Sequence, residues 1–378
     1  MSDHLDPNQI RRNAAEAGLG VPAQDALIRA AADIEADAGL RQAAELAHHV
    51  LFHTDEDWSE VLSAATVRLG ALASAWNALM LLDSTRLVRE RQGARGIPAN
   101  ITRAINERHG FAWLRRAERD GRCTLDDWLP NWFRFVASGS LYRLGRLEFA
   151  PLRWSPPFRA YRHDPTGHVV LLANPGARFS DDGHRVGELT WTASLEEGTN
   201  HVVGHPVHPR GVVLSRPIRL ELPAWRAALT ESHVVLDLHI PPEGALSLPL
   251  LRDSMEQAAS FFDAFHPVPR FAAYTCESWL FSDQLENFLG AGSNIVRWQK
   301  QGYLFPSALA ERWFFEFTFG AASIDPATAP TDTRLRRGVV ELLRRGERPR
   351  SGGYLLFRED LSRFGARPYG DEISALTA

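Results

Sequence analysis

The sequence predicts an α+β protein, with a helical N-terminal part followed by a part rich in strands. Over residues 1 to about 145, apolar side chains recur at helical spacing, as in the segments 40–51 and 61–72. Between residues 161 and 223, short apolar runs alternate with turn-forming clusters, which is typical of strands. From Val234 to Pro306 the pattern is strand, loop, helix, strand, short helix and strand. We therefore divide the chain into two domains, residues 1–150 and 151–378.

Three local patterns in the first part give more detailed predictions. Thr124 to Asp127 has the form of a capping box, so a helix is expected to begin there and to end near Gly139. His48, His49 and His53 share a predicted helix and are expected at its surface or at an interface. The segment Ser140 to Phe149 alternates apolar and polar residues over much of its length, which predicts a strand at the end of the first domain.

The second part is expected to contain short strands before residue 223, in the runs His168 to Ala173, Glu188 to Ala193, His201 to Val203, Gly211 to Leu214 and Ile218 to Leu222. A helical turn or two is expected at Trp225 to Leu229, and a strand at Trp313 to Phe319 because of its aromatic residues. A helix from Leu335 to Arg345 and a last strand from Tyr354 to Phe357 complete the prediction.

The composition narrows the class of protein. The net charge of -4 gives no basic footprint for nucleic acid. Two cysteines, Cys123 and Cys276, are too few for a disulfide framework and suggest a reducing compartment. The polar N-terminus has no apolar leader, and no apolar run reaches the length that crosses a bilayer. We therefore expect a cytoplasmic protein with no membrane or nucleic-acid partner, and the sequence leaves an oligomer open.

Polar side chains at the ends of two apolar runs are the main candidates for chemistry. His239 ends the run from Val234 and shares a strand face with Asp237, so it is either a general base or a histidine satisfied by its neighbours. In the run Phe271 to Phe281, Glu277 and Ser278 could take part in proton transfer or be structural. Cys276 is expected to be structural, since no nucleophile-elbow pattern surrounds it.

The loop and helix after His239 form a candidate anion site. The loop Pro241 to Ser247 can turn sharply, and the free N–H groups at the start of the next helix would favour a phosphate. The alternative is an ordinary strand–helix connection, because neither GxxxxGK[ST] nor GxGxxG is present.

Histidines 201, 205 and 208 are candidates for a metal site. His201 and His205 have the spacing of helical zinc ligands, but Gly204 and two nearby prolines argue against a helix. We expect no metal. A metal-dependent hydrolase built on these three residues is kept as a minor alternative.

Five segments together resemble a bacterial family of two-domain acyltransferase domain-containing proteins, with a helical N-acyltransferase N-terminal domain and a GNAT-like C-terminal domain. They are Tyr142–Leu147, His239–Pro241, Ser254–Phe262, Thr275–Leu280 and Ser293–Gln299. The resemblance covers most of the chain, and its motifs fall in the family's order. It implies a GNAT-like mixed β-sheet with flanking helices as the fold of the second domain.

The resemblance also implies an activity, the acyl-CoA-dependent transfer of an acyl group to a small-molecule amine. The fourth GNAT strand would be Val234–Ile240 and the fifth Phe271–Leu280, with the pantetheine arm of acyl-CoA between them. His239 or Glu277 would be the general base, and Ser278 or Tyr303 would protonate the departing thiolate. The cofactor-binding residues would be Ile240, Gly244, Ala245, Leu246 and Ser247.

The chain departs from the family's pattern in the pyrophosphate loop. The usual Arg/Gln-x-x-Gly-x-Gly/Ala is replaced by Pro242-Glu243-Gly244-Ala245, and Glu243 places an acid where a phosphate would sit. The second hypothesis is therefore a degenerate GNAT fold that binds a ligand or a protein without acyl transfer.

Overall fold

The computed structural model describes residues 3–125 and 128–370. The chain forms two compact units, residues 1–143 and 144–378. The predicted fold class is confirmed: a helical N-terminal unit is followed by a mixed sheet with flanking helices.

The described residues of the first unit form eight α-helices: α1 (Pro7–Glu16), α2 (Val21–Ala36), α3 (Ala38–His53), α4 (Ser59–Leu69), α5 (Ala73–Ala94), α6 (Ala99–Asn106), α7 (Ala112–Asp120) and α8 (Leu129–Ala137). A π-helical turn, Glu107–Phe111, joins α6 to α7. Asp126 and Asp127 of the predicted capping box lie outside the described residues.

Helix α5 is the core of this unit. Its side chains are buried on all sides, including Trp76, Leu79, Met80 and Leu82. By length and composition the stretch 59–94 is apolar enough to cross a bilayer, and half of its most apolar window is buried inside the structure. A helix buried in a protein core can have the same length and hydropathy, because it too is apolar on most of its surface.

A chain of charged groups crosses the interior of the helical unit. His48 Nε2 lies 2.9 Å from Asp83 Oδ2, and Arg86 Nε donates to Asp83 Oδ1 at 2.6 Å. Arg86 also donates to Glu90, and the His4 ring stacks on that of His48 with centroids 4.1 Å apart. The expected surface position is therefore wrong for His48, because it falls on the apolar face of α3 beside Ala44 and Leu51.

The second unit contains the strands β1 (Tyr142–Leu144, which spans the division), β2 (Leu147–Arg153), β3 (Phe158–His163), β4 (Val169–Ala173), β5 (Arg178–Phe179), β6 (Trp191–Thr192), β7 (Leu195–Glu197), β8 (His201–Gly204), β9 (Pro206–His208), β10 (Val212–Val213), β11 (Ile218–Glu221), β12 (Trp225–Leu229), β13 (Val234–His239), β14 (Ala273–Ser278), β15 (Tyr303–Pro306) and β16 (Gly352–Phe357). Its helices are α9 (Leu248–Phe265), α10 (Leu285–Leu289), α11 (Asn294–Gln299), α12 (Glu311–Phe319) and α13 (Arg334–Arg344).

The main sheet has six strands in the order β1–β2–β13–β14–β16–β15. Strands β13 and β14 run parallel, whereas β2 with β13, β14 with β16 and β15 with β16 run antiparallel. The excursion between β2 and β13 forms a five-stranded sheet, β10–β9–β4–β3–β12, a three-stranded sheet, β11–β8–β7, and the pair β5–β6.

Helix α9 packs against one face of the main sheet, as the predicted strand–loop–helix unit requires. Leu251, Met255 and Phe262 lie on its buried side, at helical spacing. The hydroxyl of Tyr274 on β14 donates to the carbonyl oxygen of Met255 at 2.7 Å. Ser254, which is fully buried, accepts a hydrogen bond from the Leu147 N–H at 3.0 Å. The start of β2 is thereby fastened to α9.

Three predicted elements were wrong. Trp225–Leu229 is strand β12, which pairs with β3 and buries its two terminal side chains. Glu311–Phe319 is helix α12, because its buried residues Phe314, Phe315 and Thr318 follow helical spacing in spite of their strand propensity. The segment 140–149 is not one strand, since Gly145 at φ +66° turns the chain between β1 and β2.

Candidate active site at the splayed strands

Polar side chains collect on one face of the main sheet. The register places Glu148 of β2 opposite His239 of β13, and Asp237 beside Thr275 of β14. Because alternate residues of a strand share a face, these four side chains lie on the same side, together with Glu277. The opposite face, under α9, carries apolar side chains such as Phe149, Leu238 and Tyr274.

Strands β13 and β14 separate at the end that carries these groups. Their parallel pairing covers two residue pairs, Leu236 with Tyr274 and Asp237 with Thr275. By contrast, β13 pairs with β2, and β14 with β16, over six residue pairs each. Among the described residues no ladder pair joins Leu238–His239 to Cys276–Ser278. The strands therefore open a gap in which each retains one edge able to hydrogen-bond a ligand.

His239 stands at the mouth of this gap in a setting suited to a base. Its Nε2 lies 3.2 Å from Asp237 Oδ2, and about a quarter of its side chain is exposed. Burial alone would lower the pKa of His239, but the carboxylates of Asp237 and Glu148 outweigh it, so the pKa is raised. Asp237 thereby engages one ring nitrogen and orients the imidazole.

Glu277 and Ser278 lie at the end of β14. Glu277 is exposed, and its carboxylate accepts a hydrogen bond from the hydroxyl of Ser307. Burial lowers the pKa of the Arg185 guanidinium, and the nearby carboxylate of Glu277 acts in the opposite direction. The Ser278 hydroxyl accepts from the Leu280 N–H at 3.2 Å and so caps a short 3₁₀ helix.

Tyr303 and Cys276 are less suited to chemistry. The buried hydroxyl of Tyr303 donates to the carbonyl oxygen of Val207, so it is held in the protein interior. This geometry favours a structural role for Tyr303, and the mechanism below does not use it. Burial raises the pKa of Cys276 well above its ordinary value, with the carboxylates of Asp237 and Glu277 adding to the effect. A thiol of this kind is not a nucleophile at neutral pH.

The loop from Ile240 to Ser247 leads from the gap to α9, and an arginine from the β1–β2 turn holds it. Arg146 donates from Nη2 to the carbonyl oxygens of Pro241 at 2.7 Å and Gly244 at 3.3 Å, and from Nε to that of Ala245 at 3.1 Å. Gly244 adopts φ +83°, which glycine tolerates without strain.

These hydrogen bonds from Arg146 determine the direction of the backbone N–H groups in the loop. In a planar trans peptide the carbonyl and the following N–H point in opposite directions. With the Gly244 and Ala245 carbonyls turned to Arg146, the N–H groups of Ala245 and Leu246 point away from it. The helix that follows has Ser247 as its N-cap with no side-chain cap, so first-turn N–H groups are available there too, except at Pro249. The loop can therefore hold an anion without a glycine-rich sequence.

The three histidines weighed as a metal site have separate neighbours. His201 lies 3.7 Å from Glu196, His205 packs on Trp191, and His208 Nδ1 accepts from the Arg210 N–H at 3.1 Å. Within residues 3–125 and 128–370, no group of three His, Cys, Asp or Glu side chains is arranged to hold a metal ion.

Two residues of the site were missed in the sequence, Arg146 and Glu148. Both lie in the segment taken as a single strand at the end of the first domain. The signal for Glu148 was an acid between Leu147 and Phe149, both of which are apolar and buried. Arg146 gave no local signal, because its partners follow about a hundred residues later in the chain.

A mixed sheet with two parallel strands that diverge beside a loop and a helix N-terminus defines the class of GNAT-type folds. The family described as GNAT-like C-terminal domain matches residues 141–355. The chain belongs to this family. No curated protein matches the chain.

Solved acyltransferase structures have the same fold. One, in complex with decanoyl-CoA and teicoplanin, is 19% identical with a TM-score of 0.58, over 93% of this chain and 88% of that one. A second, in complex with decanoyl-CoA, is 20% identical with a TM-score of 0.55, over 92% and 87%. A mutant acyltransferase in complex with octanoyl-CoA is 18% identical with a TM-score of 0.57, over 93% and 88%.

Proposed function

We propose that the protein is an acyl-CoA-dependent N-acyltransferase that acts on a small-molecule amine. The observation that carries the proposal is the gap between β13 and β14, lined by His239 and Asp237 and continued by a loop whose N–H groups face away from Arg146. Acyl-CoA bound to neighbours of the same fold, and teicoplanin bound to one of them, supports the donor and a small-molecule acceptor.

The proposed reaction is a direct transfer within the gap. His239 takes a proton from the amine, whose nitrogen attacks the thioester carbonyl, while backbone N–H groups at the open strand edges stabilise the oxyanion. The C–S bond then breaks to give the amide and the CoA thiolate. The proton from His239 goes to that sulfur, directly or through Ser278. Holding both substrates in one gap supplies a large part of the rate.

Asp237 and Glu148 serve this reaction through His239. Their carboxylates stabilise the imidazolium that forms when the amine is deprotonated, and Asp237 fixes the orientation of the ring. Because His239 must begin neutral, the rate should rise with pH through its raised pKa. Glu277 is the second candidate base, in contact with Ser307 at the same end of the gap.

The first test is calorimetric titration of the protein with acetyl-, octanoyl- and palmitoyl-CoA, with free CoA as control. Micromolar binding that depends on the acyl chain supports the proposal and defines the donor. Absence of binding by folded protein would favour the second candidate, a binding module without transfer. The replacement of the usual loop by Pro242-Glu243-Gly244-Ala245 is the observation that favours that candidate.

The second test replaces the proposed base. With a donor and an acceptor identified, His239→Gln should lower turnover by about 10²–10⁴-fold while leaving acyl-CoA affinity and the circular dichroism spectrum unchanged. His49→Gln, a change at an exposed histidine of the helical unit, is the matched control. Unchanged turnover in His239→Gln would remove this residue from the mechanism and leave Glu277 as the base.

A further inference from the structure

A cavity in the second unit lies apart from the splayed strands. It has a volume of about 760 Å³ and lies beside β15, the edge strand of the main sheet. Its walls come from the turn after β9, from α10, from the end of α11 and from residues 367–370. No residue of β13 or β14 lines it, and β16 separates β14 from β15. The volume is in the range of small-molecule sites.

One wall of this cavity is held in a strained conformation. Among the described residues, Arg367 is the one non-glycine residue with a positive φ, 56°. It also precedes Pro368, which restricts its backbone further. Strain of this kind persists where the surroundings over-determine it, and such sites are often functional.

The contacts that enforce the strain are buried and specific. Gln301 Oε1 accepts hydrogen bonds from the N–H groups of Gly365 at 2.8 Å and Arg367 at 3.1 Å. On the other side, the Tyr369 hydroxyl donates to Asp360 Oδ2 at 2.8 Å and accepts from the Phe357 N–H at 2.9 Å. Gln301 and Tyr369 therefore fix the backbone on both sides of Arg367, whose exposed side chain lines the cavity.

The charges around the cavity favour an anion. Its two acids already face cations of the protein, since Glu286 lies 2.6 Å from Lys300 Nζ and Asp283 lies 3.3 Å from Arg350. With those two acids paired, Arg367 adds a further cation to the lining of the cavity.

We propose that this cavity binds a small molecule through a phosphate group, with Arg367 as the principal contact. The planar guanidinium matches two phosphate oxygens, and Lys300 is a second cation in the same lining. The site is independent of the acyl transfer proposed above, because it uses none of the residues at the gap.

The test uses inorganic pyrophosphate as the probe, by calorimetry at low ionic strength, on the full chain. The wild type should bind it, and Arg367→Ala should weaken binding by about tenfold or more. Arg367→Gly should weaken it equally and raise the Tm, because glycine relieves the positive φ. Arg119→Ala, which removes an exposed charge from the helical unit, should change neither.

Three results would overturn the proposal. The first is no binding of pyrophosphate by the wild type. The second is binding that persists in Arg367→Ala but is abolished by saturating CoA, which would place the anion at the loop before α9. The third is tighter binding of citrate than of pyrophosphate, which would make the ligand a carboxylate. Loss of acyl-CoA binding alone would contradict the proposed transferase and leave this site untouched.

Discussion

His239 and Asp237, two residues of one strand, form the proposed catalytic pair. They are two positions apart on β13, so their side chains share a face, and His239 Nε2 lies 3.2 Å from Asp237 Oδ2. Glu148 joins them through the antiparallel register with β2. The pair raises the pKa of the imidazole, which makes its neutral form a stronger base.

Asp237→Asn should therefore alter the pH dependence of turnover. Loss of the carboxylate lowers the pKa of His239, so the rising limb of the kcat/KM profile should move to lower pH. The plateau should fall by about tenfold to a hundredfold, because the imidazolium loses its partner. A full pH–rate profile measures both effects. If the rising limb of the kcat/KM profile stays at the same pH in Asp237→Asn, a group other than His239 controls the pH dependence.

His4 gives a prediction on stability. Burial, and then the charge of His48, lower the pKa of His4 from 6.5 to about 3. Below pH 6.5 the His4 side chain is protonated in the unfolded chain but stays neutral in the folded chain. The helical unit should therefore lose stability as the pH falls from 6.5 toward 3. The loss is at most about 1.4 kcal/mol per pH unit. His4→Phe, which can keep the stacking on His48, should flatten this dependence when Tm is measured from pH 7 to pH 4. An equally steep decline in the variant would assign the effect to other groups.

At the scale of elements, the β1–β2 turn and the loop before α9 behave as one structure. Arg146 binds three loop carbonyls, and Ser254 fastens the start of β2 to α9. The turn therefore shapes the proposed pyrophosphate site without belonging to it.

Arg146→Ala should weaken acyl-CoA binding by about tenfold or more, since the loop N–H groups lose their fixed direction. With saturating donor, turnover should change little, because the reacting atoms lie at the other end of the cofactor. Calorimetry and the dependence of rate on donor concentration measure the two effects. Arg153→Ala is the matched control, because this exposed arginine of β2 donates to Ser232 instead. Equal affinity in Arg146→Ala and wild type would show that the loop keeps its shape without these hydrogen bonds.

Helix α5 carries a buried ion pair through the core of the helical unit. Asp83→Asn should lower the free energy of unfolding of that unit by about 3 kcal/mol, because Arg86 and His48 lose their partner inside the protein. A urea titration followed by circular dichroism measures it. Asp25→Asn, at an exposed pair with Arg11, should change the free energy by less than about 1 kcal/mol. Similar values for the two variants would mean that water reaches Asp83.

At the scale of the whole molecule, the elements that could be predicted from the sequence are those with a clear local pattern of apolar and turn-forming residues. Helix α9, its loop and its two flanking strands have strong periodicity and turn residues, and they were predicted correctly. Trp225–Leu229, with two alanines, was predicted to be helical, and the aromatic-rich Trp313–Phe319 was predicted to be a strand. Both predictions were wrong, because tertiary packing overrode the local propensities. Glu148 and Arg146 depend on partners far along the chain, so no local pattern contains them.

The pairing of β2 with β13 has a consequence for the order of assembly. Some eighty residues, arranged in three smaller sheets, separate these two strands in the chain. Strand β13 can pair with β2 only after the segment between them has been synthesised and has folded so that its two ends meet. Contacts of this separation slow folding, because the entropy of closing the loop is lost before the pairing is gained. On the ribosome, the helical unit can thus be synthesised in full long before His239 meets Glu148.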